Sequence, residues 1–104
     1  MTNAIILDAE SKGPWTAAFR VTTVLELGAA LRIINLFAQQ GLLPDKVRIA
    51  TRCDRLVISI VQPDLAPHRA GLIVARMRTQ IDVIGVVLKL TAMIEEPREP
   101  GVLA

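Results

Sequence analysis

The chain has 104 residues, 52% of them hydrophobic, with a net charge of +2 at pH 7 and one cysteine. That length supports one domain with a single core, and one cysteine excludes an internal disulfide. Arg32, Asp54, Arg55, Arg76 and Lys89 cut the apolar stretches well short of the ~20 apolar residues of a membrane span.

A charge this mild does not demand a nucleic-acid partner. The mean hydropathy of +0.45 is high for so small a domain, and it leaves apolar surface that a second subunit would cover.

Residues 1–14 read as a flexible lead-in. Ile5, Ile6 and Leu7 can form a short extra strand before Lys12-Gly13-Pro14 breaks the chain. No basic region precedes that apolar triplet, so it is not a secretory signal, and a cytoplasmic location is the expectation. The first strand is predicted over Trp15–Leu25, with Phe19, Val21, Thr23 and Leu25 on one face and Ala18, Arg20, Thr22 and Val24 on the other.

A helix follows, with Ala30, Ile33, Ile34 and Phe37 at i, i+3, i+4, i+7 and Arg32, Asn35 and Gln39 opposite. Gly41 is placed to end it in a left-handed cap. Lys46–Cys53 and Leu56–Gln62 both alternate and are joined tightly through Cys53-Asp54-Arg55, which predicts a hairpin. The Val57, Ser59 and Val61 face of that hairpin is too apolar for a solvated sheet face and hints at a subunit contact.

Pro67 opens a second helix, His68–Ile81, with Ala70, Ile73, Val74, Met77 and Ile81 on its apolar stripe. Val83–Leu90, dense in valine and leucine, fits a central strand. The tail, residues 91–104, is charged and proline-rich and is expected to be disordered. Strand, helix, strand, strand, helix, strand over residues 15–90 predicts an α+β, ferredoxin-like βαββαβ sandwich. It has a four-stranded antiparallel sheet, two helices on one face, and the first and third strands at the centre.

This topology hosts many activities, so function must be sought in a site. RNA recognition on such a sheet needs aromatic residues on the central strands; only Phe19 is available, and no nucleic-acid partner is expected. Arg48, Arg52 and Arg55 could touch phosphate but read as a solvated basic hairpin. Cys53 and His68 are two ligands, too few for a closed metal site, and no metal or cofactor is expected. Asp8, Glu10, Glu95 and Glu96 lie in the tails, where a general acid–base pair is poorly held, so the inventory does not favour an enzyme.

The loop entering the first helix remains. A helix N-terminus presents unpaired N–H groups that suit a carboxylate. Gly28 there either admits a ligand to the backbone or simply makes the strand-to-helix turn.

The run Leu27-Gly28-Ala29-Ala30-Leu31-Arg32-Ile33-Ile34-Asn35-Leu36-Phe37, followed by Gly41, resembles the first loop and helix of ACT domains. It is most similar to those of the regulatory small subunits of acetolactate (acetohydroxyacid) synthase. In that family a Pro-Gly turn opens a helix of the form Leu-x-Arg-Ile-x-x-Leu-Phe. The order of the remaining elements over about residues 17–90 agrees, including Ile81-Asp82-Val83-Ile84-Gly85-Val86.

The resemblance implies a regulatory domain that forms a homodimer by sheet extension. It further implies an amino-acid effector, usually a branched-chain one, held between protomers, and a large catalytic subunit as partner. The effector positions map to Leu25, Glu26, Leu27, Gly28, Ala29 and Ala30. Two of them depart from the family: Leu25 stands where Asn or Asp is common, and Leu27 where Pro is. Loss of the polar residue removes an anchor for the effector's amino group, which leaves open an association module that dimerises without a small ligand.

Overall fold

The computed structural model describes residues 2–7, at the level of the backbone, and residues 15–92. Its elements are β1 (Thr2–Leu7), β2 (Trp15–Val24), α1 (Leu27–Gln39), β3 (Lys46–Arg52), β4 (Arg55–Gln62), α2 (Pro67–Arg78) and β5 (Val83–Ala92). From β2 onward this is the expected βαββαβ unit, with antiparallel order β5-β2-β4-β3 and β2 and β4 at its centre.

β1 lies parallel to β5 and makes the sheet five-stranded. The short strand considered at Ile5–Leu7 therefore exists and begins at Thr2. It also gives β5 a neighbour on each side, as its density of valine and leucine anticipates. β5 runs on to Ala92, into the stretch expected as tail. The Lys12-Gly13-Pro14 break and residues 93–104 lie outside the described residues.

Burial follows the pleat. Ala17, Phe19, Val21 and Thr23 of β2, Leu56, Ile58 and Ile60 of β4, and Val86, Leu88 and Leu90 of β5 are buried. Their partners in the core are Ala30, Ile33, Leu36 and Phe37 of α1 and Ala70, Ile73, Val74 and Met77 of α2. Phe19 and Phe37 meet edge to face, with ring centroids 5.2 Å apart and planes at 86°. Such a pair is worth about 0.5–1.5 kcal/mol beyond the area it buries. Opposite Thr22 and Thr23 the register of β5 slips by one residue; this bulge turns Val83 inward beside Thr23, where both are buried.

The ends of the elements have local causes. α1 closes as a Schellman motif: Gly41 has φ +72°, its N–H donates to Ala38 O at 3.0 Å, and Leu42 N–H donates to Phe37 O at 2.9 Å. The left-handed cap expected at Gly41 is therefore present. Between β3 and β4 the turn has two central residues, Cys53 (φ 47°) and Asp54 (φ 65°). That is the type I′ geometry whose twist matches the flanking strands. Arg55 consequently belongs to β4, one residue before the predicted start at Leu56.

Two predicted stripes need correction. On α1, Leu36 is buried while Ile34 is only partly so. On α2, Ile81 is 98% exposed, because the helix stops at Arg78 with Thr79 as its cap. Beyond that cap, the i+4 relation to Met77 no longer holds. β3 alternates in sequence, yet every one of its residues is exposed. As an edge strand it lies outside the cover the helices give the rest of the sheet.

Candidate functional site

The stretch from Leu25 to Ala30 joins β2 to α1. Its entry is pinned to the turn before β5, since Val24 N–H donates to Asp82 O at 3.0 Å. Glu26 is the N-cap residue, in extended conformation, and its side chain caps nothing. No acidic residue stands in the first turn of α1. The N–H groups of Leu27 and Gly28 find no backbone acceptor among the described residues, as the first turn of a helix dictates. The positive end of the α1 dipole is thus open to an incoming group.

Gly28 is the second residue of the helix and not part of the loop before it. Its backbone is not left-handed. A Cβ added there would lie 3.5 Å from Arg32 Nη1, an ordinary contact. Neither turn geometry nor crowding therefore requires glycine at this position. What the missing side chain does is leave the first turn uncovered beside the Arg32 guanidinium.

Arg32 is one turn further on, and helical side chains lean back toward the N-terminus. Its Nη2 donates to Asp82 Oδ2 in an ion pair in which Arg32 is 51% exposed and Asp82 8% exposed. Neither residue stands out in sequence: Arg32 reads as part of a polar stripe and Asp82 as a strand lead-in. The signal was the i, i+4 spacing from Gly28 to Arg32, which aims the cation at the glycine. The pair joins the two loops at this end of the sheet. It also sets the Asp82 carboxylate against the guanidinium and close to the positive helix end, with the Glu26 carboxylate exposed at the N-cap.

Of the six predicted positions, Leu25, Glu26, Leu27 and Gly28 are exposed, whereas the side chains of Ala29 and Ala30 point into the core. Ala29 and Ala30 can offer a ligand only backbone. Leu25 (51% exposed), Leu27 (64%) and Leu31 (56%) are exposed apolar residues of the same stretch and the helix turn that follows it.

The other residues weighed from sequence do not assemble. Cys53 is exposed in the β3–β4 turn and His68 is exposed at the start of α2. They stand at opposite ends of the eight-residue β4, roughly 25 Å apart at strand rise. Among the described residues no three His, Cys, Asp or Glu side chains gather as a metal site. Phe19 lies in the core and offers no stacking platform. No helix among the described residues is long and apolar enough to cross a membrane.

Comparison with known proteins agrees with this architecture. The ACT domain from the GTP pyrophosphokinase of Chlorobium tepidum superposes as a crystal structure with TM-score 0.63 at 9% identity, over 72% of this chain and 97% of that one. Its solution structure gives TM-score 0.61 at 10% identity, over 81% and 93%. The C-terminal domain of the MgtC protein from Mycobacterium tuberculosis gives TM-score 0.61 at 17% identity, over 84% and 100%. At these identities the likeness is one of fold. No curated protein matches the sequence. The family model described as ACT-like domain matches residues 11–94, and ACT domains are regulatory, non-catalytic units that generally bind small molecules. With most of its length covered by that match, the chain belongs to the ACT-like domain family.

Proposed function

We propose that this domain binds an amino-acid effector at the start of α1 and, as a homodimer, modulates a partner enzyme. The observation that carries the reading is the uncapped first turn of α1, opened by Gly28 and flanked by the Arg32–Asp82 pair. An α-carboxylate would take the N–H groups of Leu27 and Gly28. Leu25, Leu27 and Leu31 would meet an aliphatic side chain, which favours branched-chain effectors. Glu26, exposed and capping nothing, replaces the missing polar residue at position 25 as partner for the amino group.

The dimer would extend the sheet. β1 occupies the outer edge of β5, so the edge of the βαββαβ unit left for a second copy is β3, where Val47 and Ile49 are exposed. The resemblance of α1 to acetolactate synthase small subunits makes a large catalytic subunit of that kind the first partner to try. The second reading, an association module without a small ligand, draws on the same open β3 edge and on the leucine at position 25.

Calorimetric titration of the full chain with valine, leucine and isoleucine separates the two readings. Effector binding at 100 times Kd raises stability by about 2.7 kcal/mol, and Gly28→Val abolishes both heat and stabilisation while leaving the oligomer intact. A dimer with no heat from any amino acid leaves the association reading standing. A monomer at all concentrations removes both.

A further inference from the structure

Every charged residue of strands β2–β5 is a cation: Arg20, Lys46, Arg48, Arg52, Arg55 and Lys89. The register places all six on the helix-free face. Arg20 lies opposite to the buried parity of Phe19 and Val21. Arg48 pairs with Ser59, Arg52 with Arg55 and Lys46 with Val61, while Lys89 pairs with Ala18. The four strands contain no Asp or Glu.

On that face lies a depression of about 340 Å³, walled by Arg20, Arg52 and Arg55 and floored by Thr22, Val57 and Gly85. Thr22 is paired with Gly85 on one side and Val57 on the other, so the absent glycine side chain sets the hollow at the middle of the sheet. Arg52 and Arg55 are direct cross-strand partners, a like-charge arrangement that disfavours the empty face. None of the three arginines is in an ion pair among the described residues.

We propose that this hollow is an anion site in which Arg20, Arg52 and Arg55 close on a small ligand bearing a diphosphate or phosphate ester. The volume suits a small molecule. Guanidinium forks match phosphate oxygens in pairs, and the Thr22 hydroxyl adds a donor from the floor. Nucleic acid fits poorly, because the face has no aromatic ring on which a base could stack: Phe19 is in the core and Trp15 packs against it. A second copy laid on this face would set arginine against arginine. The site is on the other side of the sheet from the α1 opening and stands or falls independently of the amino-acid reading.

Titration of the full chain with inorganic pyrophosphate, at ionic strength held constant with chloride, tests the site by calorimetry and by melting temperature. Saturable binding is expected, weakened about tenfold or more by each of Arg20→Ala, Arg52→Ala and Arg55→Ala and little changed by Arg48→Ala. The three variants should melt no lower than the parent without ligand, since the side chains are exposed and unpaired. A nucleoside diphosphate that binds more tightly than pyrophosphate identifies a nucleotide as occupant, and equal binding identifies the phosphate groups alone; either supports the site. Absence of pyrophosphate binding overturns it. So does an equal loss with Arg48→Ala, which would mean a diffuse field, or single-stranded RNA binding that exceeds pyrophosphate binding and is lost in the same variants.

Discussion

The two faces of the sheet are made by the same strands and differ in everything else. Toward the helices, β2, β4 and β5 present aliphatic and aromatic side chains at close to zero exposure. Away from them, the alternate positions carry all the strand charges, of one sign, around small residues. The first face is a core, and packing explains its composition apart from the buried Thr23 and Gln62. The second is not explained by solubility, for which mixed signs serve better than a concentration of cations. The difference teaches that an uncovered sheet face with this composition carries information about a ligand, where the covered face carries information about the fold.

Three substitutions probe that contrast, in order of expected effect. Phe37→Ala removes a fully buried ring and its edge-to-face partner contact with Phe19 and should cost about 3–5 kcal/mol in urea unfolding. A cost below that of Val57→Ala on the open face would break the distinction between the faces. Arg32→Ala leaves the Asp82 carboxylate, 8% exposed, without its cation, and should cost about 1–3 kcal/mol. Asp82→Asn should cost less, because the freed guanidinium is half exposed and turns to water. If the two costs were reversed, Asp82 would not be the buried member in solution. Arg55→Thr relieves the repulsion from Arg52 across the hairpin and should stabilise by roughly 0.2–1 kcal/mol, measurable as a higher urea midpoint. A loss of stability there would mean that the arginines are held by contacts other than a ligand's.

Much of this was legible in the residues. Period-two alternation in Trp15–Leu25 and Leu56–Gln62 reported burial because helices cover that side of both strands; it failed at Leu25, which is 51% exposed because β2 ends at Val24. Gly41 announced its cap because the Schellman geometry needs a left-handed residue there. Ile81 misled because an apolar residue two positions past a helix cap continues the pattern in sequence but not in space. Val47 and Ile49, exposed on an alternating strand, show the limit of that pattern: alternation says which side chains share a face, not whether anything lies over it. At the candidate site, Gly28 was expected at the strand-to-helix turn and lies instead in the first turn of the helix. Ala29 and Ala30 entered through the family resemblance, though their side chains belong to the core.

The sequence by itself determined the order of elements, the two-layer sandwich and the sorting of strand residues between faces. Those follow from local periodicity, capping and handed crossovers, each readable within a few residues or from the order of elements. Only the tertiary structure decided that Arg32 meets Asp82, fifty positions away, that β1 closes the β5 edge, and that Arg20 joins Arg52 and Arg55 around one hollow. The physical reason is the same in each case: these are contacts between segments distant in the chain. Their existence depends on strand register and side-chain reach, which no local pattern encodes.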